Sequence, residues 1–297
     1  MATQQIQLAG FRYTKFVVVQ SLEPNERETG TETAEFLRRE LEARKICVPV
    51  QLERCWSAAE FLALMNRLIQ EASQGEIPIL QIDCHGDDMQ GLEFENSSMV
   101  AWPTLGEYLL RLNIATGFNL LAVVSACFGA YFLGQMSPVE RCPCYGLIST
   151  TKQVKPSELN AGFEDFYRVF LDTRDVGQAA QALAVRTLRE GRWFTMPAEW
   201  WFESTVRGYL EFKCTRRVVQ ERARNINKEL RLRGRRELSQ SKLFDIHRRN
   251  QEGLVLRLFS TFFSIGDVPS NVDRFSDCYA RAEAWVARIR ARGTHIL

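Results

Sequence analysis

Two stretches decide the fold: residues 77–86, IPILQIDCHG, and residues 120–129, LLAVVSACFG. Each is an apolar run that breaks abruptly into small residues, which is how a strand buried on both faces of a parallel sheet reads in sequence. In open α/β sheets the crevice outside the carboxyl ends of the strands is where ligands bind. Neighbouring strands of this kind would bring His85, at the end of the first run, beside Cys127, at the end of the second. A free thiol is mostly protonated at neutral pH, whereas a thiol next to an imidazole can be held as the nucleophilic thiolate. That pairing points to an enzyme.

Working outward, residues 15–20 (KFVVVQ) read as a first buried strand, followed by a polar loop over 23–30. Thr29 and Glu32 have the spacing of a capping box. Phe36, Leu37 and Leu41 then share one helix face before a second strand at 47–52, which makes a β-α-β unit. Ser57 and Glu60 form a second capping box, and Phe61, Leu64, Met65, Leu68, Ile69 and Ala72 recur at helical spacing up to Gly75. Beyond His85 an alternating piece, residues 92–95, turns at Asn96-Ser97-Ser98 as a small hairpin. A helix over 105–112, a loop over 134–144, a fifth strand at 145–149 and helical patterns over 157–171 and 176–190 complete this part. The expected fold is α/β: a doubly wound, mostly parallel sheet with helices on both faces, followed by a helical C-terminal region. The expected division is 1–205 and 206–297.

These residues carry a resemblance. An apolar block ending in His-Gly, followed by a second ending in small-Ala-Cys-x-Gly, resembles the caspase-like cysteine peptidases, particularly their bacterial members and the CHAT branch. The caspase signature has Gln-Ala-Cys-x-Gly with the histidine about 50 residues upstream. This chain has Ser125-Ala126-Cys127-Phe128-Gly129, with His85 42 residues (127 minus 85) before Cys127. The resemblance covers roughly residues 12–190 and leaves the tail outside it.

It implies a cysteine endopeptidase with His85 and Cys127 as the catalytic dyad, the backbone N–H groups of Gly86 and Cys127 as the oxyanion hole, and no cofactor or metal. It also implies a regulated protease with a protein or peptide substrate and a regulatory protein partner, of the kind found in bacterial defence and cell-death systems. Ser125 stands where the Asp-cutting caspases have Gln, which leaves the first-position preference open. Asp83, with Asp87, Asp88 or Glu158, would favour a basic substrate side chain, whereas Lys152 and Lys155 argue the other way. Asp83, Ser125 and Lys152 are the candidate substrate-binding residues. The loop at 134–144, containing Arg141, is a candidate activation cut.

Taken singly, a histidine at a strand end and a buried cysteine are ordinary packing residues. Their coincidence with a following glycine each, in a chain with three histidines, carries the catalytic reading. His247 and His295 lie in the helical tail and lack that setting, and Cys84 should point to the opposite sheet face from His85.

The rest of the composition narrows the classes. Residues 1–13 lack the basic and apolar segments of a secretory signal, and no apolar stretch approaches a membrane span. Eight cysteines placed mostly in apolar segments suggest a reducing cytoplasm rather than a disulfide framework. Cys142-Pro143-Cys144, with Cys84 and His85, lacks the second ligand pair that zinc would want.

Charge is unevenly shared. Residues 207–297 hold 20 Lys/Arg and 10 Asp/Glu, leaving 18 and 26 before them. The tail opens with Trp193, Phe194, Trp200, Trp201 and Phe202, read as a bridge between the sheet and the C-terminal helices. Its run RLRGRR at 231–236 reads as a solvated basic helix end rather than a nucleic-acid contact. Two other classes stand beside the enzyme: a non-catalytic caspase-like adaptor, and a nucleic-acid-binding module.

Overall fold

Residues 10–134, 140–293 and 295–296 are described by a computed structural model. The extreme N-terminus and most of the loop expected between Gly134 and Cys144 lie outside those residues. The chain forms two compact units that divide between Ala198 and Glu199.

The first unit is built on the apolar runs. In chain order its elements are β1 (Lys15–Ser21), α1 (Thr29–Ala43), β2 (Val50–Arg54), α2 (Ala58–Ser73), β3 (Pro78–Asp87), β4 (Gly91–Glu93) and β5 (Met99–Val100). They continue with α3 (Trp102–Ala115), β6 (Leu121–Ser125), α4 (Tyr131–Gly134), β7 (Gly146–Thr150), α5 (Pro156–Thr173), α6 (Val176–Ala184) and β8 (Trp193–Pro197). The strands lie in the order β2-β1-β3-β6-β7-β8. The first five are parallel, and β8 runs antiparallel to β7. β4 and β5 form the expected hairpin on the end of β3. The fold is thus α/β with a mostly parallel, mixed sheet.

Strand alternation divides the side chains between two layers. Val17, Val19, Leu80, Ile82, Ala122 and Val124 pack with Phe61 and Leu68 of α2 and Leu105 and Leu109 of α3. On the other face Phe16 meets the Tyr167 ring of α5, while Gln81 bonds Thr33 of α1 and Tyr167. Helices therefore cover both faces. The chain first steps outward from β1 to β2, then returns to place β3 on the other side of β1. This reversal puts the topological switch point at the carboxyl ends of β1 and β3, where such sheets bind ligands.

Four local expectations change. β2 begins at Val50 rather than residue 47, because its ladder with β1 starts at the Phe16–Val50 pair. Thr29 caps nothing: α1 begins at that residue, Glu28 stands at the cap without a side-chain bond to a helix N–H, and Glu32 pairs with Arg27 at 2.8 Å. At α2, Ser57 does accept from the Glu60 N–H at 3.2 Å, but the Glu60 carboxylate takes the N–H of Trp56 instead of that of Ser57. α6 stops at Ala184, and β8 stands where only an aromatic cluster was read.

The second unit is helical: α7 (Ala198–Gly208), a π-helical turn (Tyr209–Lys213), α8 (Arg216–Leu232), α9 (Gln240–Gln251), α10 (Leu254–Phe262), α11 (Asn271–Arg274) and α12 (Ser276–Ala291). Its core is aromatic. Phe202 packs against Phe259, Phe262 and Phe263, and Phe263 stacks on Phe275 with centroids 4.3 Å apart. The aromatic cluster is therefore split, with Trp193 and Phe194 in the sheet and Trp201 and Phe202 in the helical core. Among the described residues no helix is long and apolar enough to cross a membrane.

Candidate active site at the carboxyl edge of the sheet

His85 owes its position to the length of β3. The parallel ladder with β1 ends at the Ser21–Cys84 pair, and the strand continues with His85 opposite Glu93 of β4. The imidazole, half exposed, turns toward the loop that leaves β1. Its Nε2 lies 3.0 Å from Oε2 and 2.9 Å from Oε1 of Glu26. Glu26 is itself fixed: its carboxylate accepts from the Glu23 N–H at 2.9 Å, and its own N–H donates to the Glu23 carbonyl at 3.0 Å. Burial raises the Glu26 pKa, but the Glu23 N–H and His85 outweigh it and hold the carboxyl below its ordinary value.

Cys127 is positioned by backbone. β6 ends at Ser125, and the chain turns at once through Phe128, at φ 60°, into α4. A left-handed conformation costs a non-glycine residue about 1–2 kcal/mol. Three hydrogen bonds hold the turn: Gly129 N–H to the Ala126 carbonyl (3.2 Å), Tyr131 N–H to that of Phe128 (2.7 Å) and Ala130 N–H to that of Thr150 on β7 (3.1 Å). A sharp strand-to-helix turn of this kind lifts a nucleophile above the sheet edge. Cys127 is partly exposed there.

The two strand ends touch through a glycine. A Cβ on Gly86 would overlap the carbonyl oxygen of Cys127 and come within 3.1 Å of the Ala126 Cβ. His85-Gly86 and Cys127 are therefore brought together as backbone neighbours. No hydrogen bond joins the imidazole to the thiol among the described residues; the imidazole is bonded to Glu26.

Asp83 and Ser125 do not line a binding surface, which corrects the expectation for both. They are 0% and 5% exposed and face each other in the β3–β6 register. Alternation turns Asp83 into the layer under α1 and α5, where its Oδ2 accepts from Gln81 Nε2 at 2.7 Å and Gln81 in turn accepts from the Tyr167 hydroxyl at 2.8 Å. Asp83 Oδ1 and the Ser125 hydroxyl each lack a well-aligned hydrogen bond. Burial pushes the Asp83 carboxyl up to about 6, against the opposing pull of Ser125, Gln81 and Thr29. Cys84 points to the other layer, buried among the α2 and α3 residues, and burial raises its thiol well above the ordinary range.

Lys152 is exposed on the loop after β7. Beside it a cavity of roughly 260 Å³ is lined by Gln153, Val154, Lys155, Pro156, Glu158 and Arg189 with Glu190. The cavity belongs to the loop leaving β7 and the segment entering the antiparallel β8, so it lies at the same sheet edge as Cys127. Lys152 borders it without lining it.

Cys142 and Cys144 are buried, with the Cys142 thiol donating to the Cys144 carbonyl at 3.1 Å and burial pushing the Cys144 thiol up to about 12. Among the described residues no group of three or more His, Cys, Asp or Glu stands together as a metal would require. His247 and His295 bond the carbonyls of Ile296 and Glu211 in the helical unit.

Glu26 is the residue that sequence reasoning missed. It sits in an irregular loop 59 positions from His85, without a motif. The signal was topological: the loop after β1 must border the same crevice as the end of β3. Compared with known proteins, the chain matches no family model and no curated protein.

Proposed function

We propose that the chain is a cysteine endopeptidase of the caspase-like type, acting through Cys127 and His85 with Glu26 as a third, positioning member. The observation that carries this reading is the backbone contact of Gly86 with Cys127. It sets a cysteine on a strained turn beside a histidine braced by a carboxylate, at the sheet edge where α/β folds bind ligands.

The chemistry follows from the arrangement. Cys127 Sγ attacks the substrate carbonyl carbon, and its proton passes to Nδ1 of His85, the ring nitrogen that Glu26 leaves unengaged. The Glu26 carboxylate stabilises the imidazolium so formed. The N–H groups of Gly86 and Cys127 donate to the developing oxyanion. Collapse of the tetrahedral intermediate expels the amine, which takes its proton from His85 and leaves a thioester on Cys127. Water, deprotonated by His85, then hydrolyses the thioester and restores the thiol. The cavity beside Lys152, lined by Lys155, Glu158, Arg189 and Glu190 among others, is the site for the substrate's recognition side chain. All eight cysteines are free, in keeping with work in a reducing cytoplasm. A regulated role in a bacterial defence or cell-death system, under a protein partner, accompanies this reading.

The test is cleavage of a mixed peptide library by the purified chain and by Cys127→Ala, with cut sites read by mass spectrometry and Cys127 probed with a thiol-directed electrophile. Cuts that vanish in the variant support the proposal and report the first-position residue. Absence of both cuts and labelling of Cys127 would favour the adaptor.

A further inference from the structure

The charge asymmetry of the sequence becomes a surface in the helical unit. Over residues 216–249 there are twelve Lys/Arg against four Asp/Glu. The sequence reading expects the run at 231–236 to be a solvated helix end, but the arrangement of the cations on α8 is more ordered than that. Its Val219 and Ala223 face is buried. At about 100° per residue, Arg217, Arg224, Lys228 and Arg231 fall within about 60° of arc on the opposite side. All four are exposed. They span fourteen positions, or about 21 Å of helix axis. Among the described residues Arg217, Arg224 and Lys228 make no ion pair, and Arg231 makes an exposed one with Glu237 at 2.7 Å, of the kind worth little.

The stripe continues into a built turn. Gly234, at φ 66°, lets the chain fold back so that the Arg235 N–H reaches the Leu230 carbonyl at 2.8 Å. Asn227 then pins the turn with two bonds to the Leu238 backbone, both 2.9 Å. Arg235 and Arg236 are thus presented, exposed, from a fixed loop at the end of the cationic face.

We propose that this face of α8 and its C-terminal turn bind the phosphate backbone of a nucleic-acid duplex without reading its sequence. The inference is independent of the peptidase reading. Duplex DNA carries one negative charge per about 1.7 Å of axis, so a straight row of cations meets a phosphate wherever it lands. A single strand would call for aromatic stacking platforms, and the arc carries none. An acidic protein would be anchored by apolar or aromatic side chains among the cations, which are also missing from the arc. A membrane would take the apolar face of the helix, and that face is committed to the core of the unit.

The test is fluorescence anisotropy of the full chain with labelled duplexes of about two helical turns, DNA in one arm and RNA in the other, over about 50–200 mM salt. Binding should weaken with salt at a log–log slope of at least about −3.6, from about 0.9 for each of the four α8 contacts, and up to about −5.4 with Arg235 and Arg236 engaged. The variant R217Q/R224Q/K228Q should bind at least about tenfold more weakly and lose about 2.7 from the slope. Removal of the same charge elsewhere, as R39Q/K45Q/R192Q, should leave affinity unchanged. If the triple variant melts early, R224Q alone should still reduce the slope by about 1. Binding to either duplex supports the proposal, and the tighter arm names the nucleic acid. It is overturned if neither duplex binds, if the control variant loses as much as the α8 variant, or if a poly-glutamate peptide or phosphatidylserine vesicles compete better than unlabelled duplex.

Discussion

β3 and β6 run side by side in register, from Ile79–Leu121 to Asp83–Ser125, yet they deliver the candidate residues His85 and Cys127 by opposite means. β3 overruns the sheet: His85 keeps extended backbone, pairs with β4 and is oriented by a side chain, Glu26, from a different loop. β6 stops at Ser125 and aims Cys127 through backbone alone, in a turn with Phe128 in the left-handed region. The proposed base, His85, is placed by a replaceable carboxylate and the proposed nucleophile, Cys127, by a main-chain shape that no single side chain controls. Substitutions at the two ends should therefore fail in different ways.

The largest effect is expected where the two ends meet. In Gly86→Ala the added methyl would overlap the Cys127 carbonyl, which belongs to the hydrogen-bonded turn and cannot swing aside as a side chain would. One strand end must move. Overpacking of this sort costs about 1–3 kcal/mol of stability. A displacement of about 1 Å in reacting groups costs about 10²-fold in rate. Thermal melts and kcat/KM for the peptide identified by the library, measured side by side, should show the rate falling far more than the stability accounts for. A rate that falls no further than the unfolded fraction read from the melts would mean that Gly86 serves packing alone.

Glu26→Gln comes next and acts on the His85 end. Gln preserves a hydrogen-bonding group for the imidazole but removes the charge that stabilises the imidazolium, so kcat should fall by about tenfold or more with KM little changed. The pH dependence has a definite sign. The Glu26 pKa is lowered in the folded chain, so its carboxylate is fully charged above the ordinary value of 4.5 and its support of His85 is lost as pH falls through the depressed value. Below that value the wild-type chain should show a further acid-side loss of kcat that Glu26→Gln, with no carboxylate to protonate, lacks. Identical acid limbs would show that Glu26 does not act through charge.

This asymmetry also explains what could be read in advance. The runs KFVVVQ, IPILQIDC and LLAVVS announce β1, β3 and β6 because strands buried on both faces are mostly apolar. His85 and Cys127 were legible because they interrupt such runs. Glu26 was not, since its role depends on a loop returning to a strand end 59 residues later. β8 was hidden for a different reason: Trp193, Phe194 and Pro197 form an antiparallel strand whose Trp193 packs on Phe163 of α5, and neither alternation nor an apolar run marks it. Thr29 and Asp83 were misread because local spacing and charge suggested a cap and a substrate contact, whereas tertiary packing takes both into one polar layer.

Gly129→Ala is the milder counterpart of Gly86→Ala at the Cys127 end. Its methyl would press on the Ser149 hydroxyl and lie 2.8 Å from Val124 Cγ1, both side-chain atoms. Ser149 can rotate by giving up its 2.8 Å bond to the Val124 carbonyl. The expected cost is about 1–2 kcal/mol in a urea titration, made up of one lost hydrogen bond and some overpacking, with kcat/KM reduced by less than about tenfold. A loss as large as that of Gly86→Ala would erase the distinction between backbone and side-chain obstruction.

The smallest effect on turnover is expected beneath the site, at Asp83→Asn. The carboxyl is fully buried and its folded pKa is about 6, above the ordinary 3.8. The native state therefore holds its proton more tightly than the unfolded chain does. Its contribution to stability is fully present below 3.8, declines as pH rises toward about 6 and is flat thereafter. Asparagine keeps the shape, can still accept from Gln81 through its oxygen and offers the Ser125 hydroxyl a donor that the carboxylate cannot supply. It should leave stability nearly unchanged at pH 4 and raise it at pH 8 by on the order of 1–3 kcal/mol, read from urea midpoints at the two pH values. If stability rises while kcat holds, the buried layer is scaffold and catalysis resides in the two strand ends above it. If kcat instead falls in a more stable variant, the buried charge tunes the edge on which His85 and Cys127 stand, and the contrast between the two ends gains a shared control.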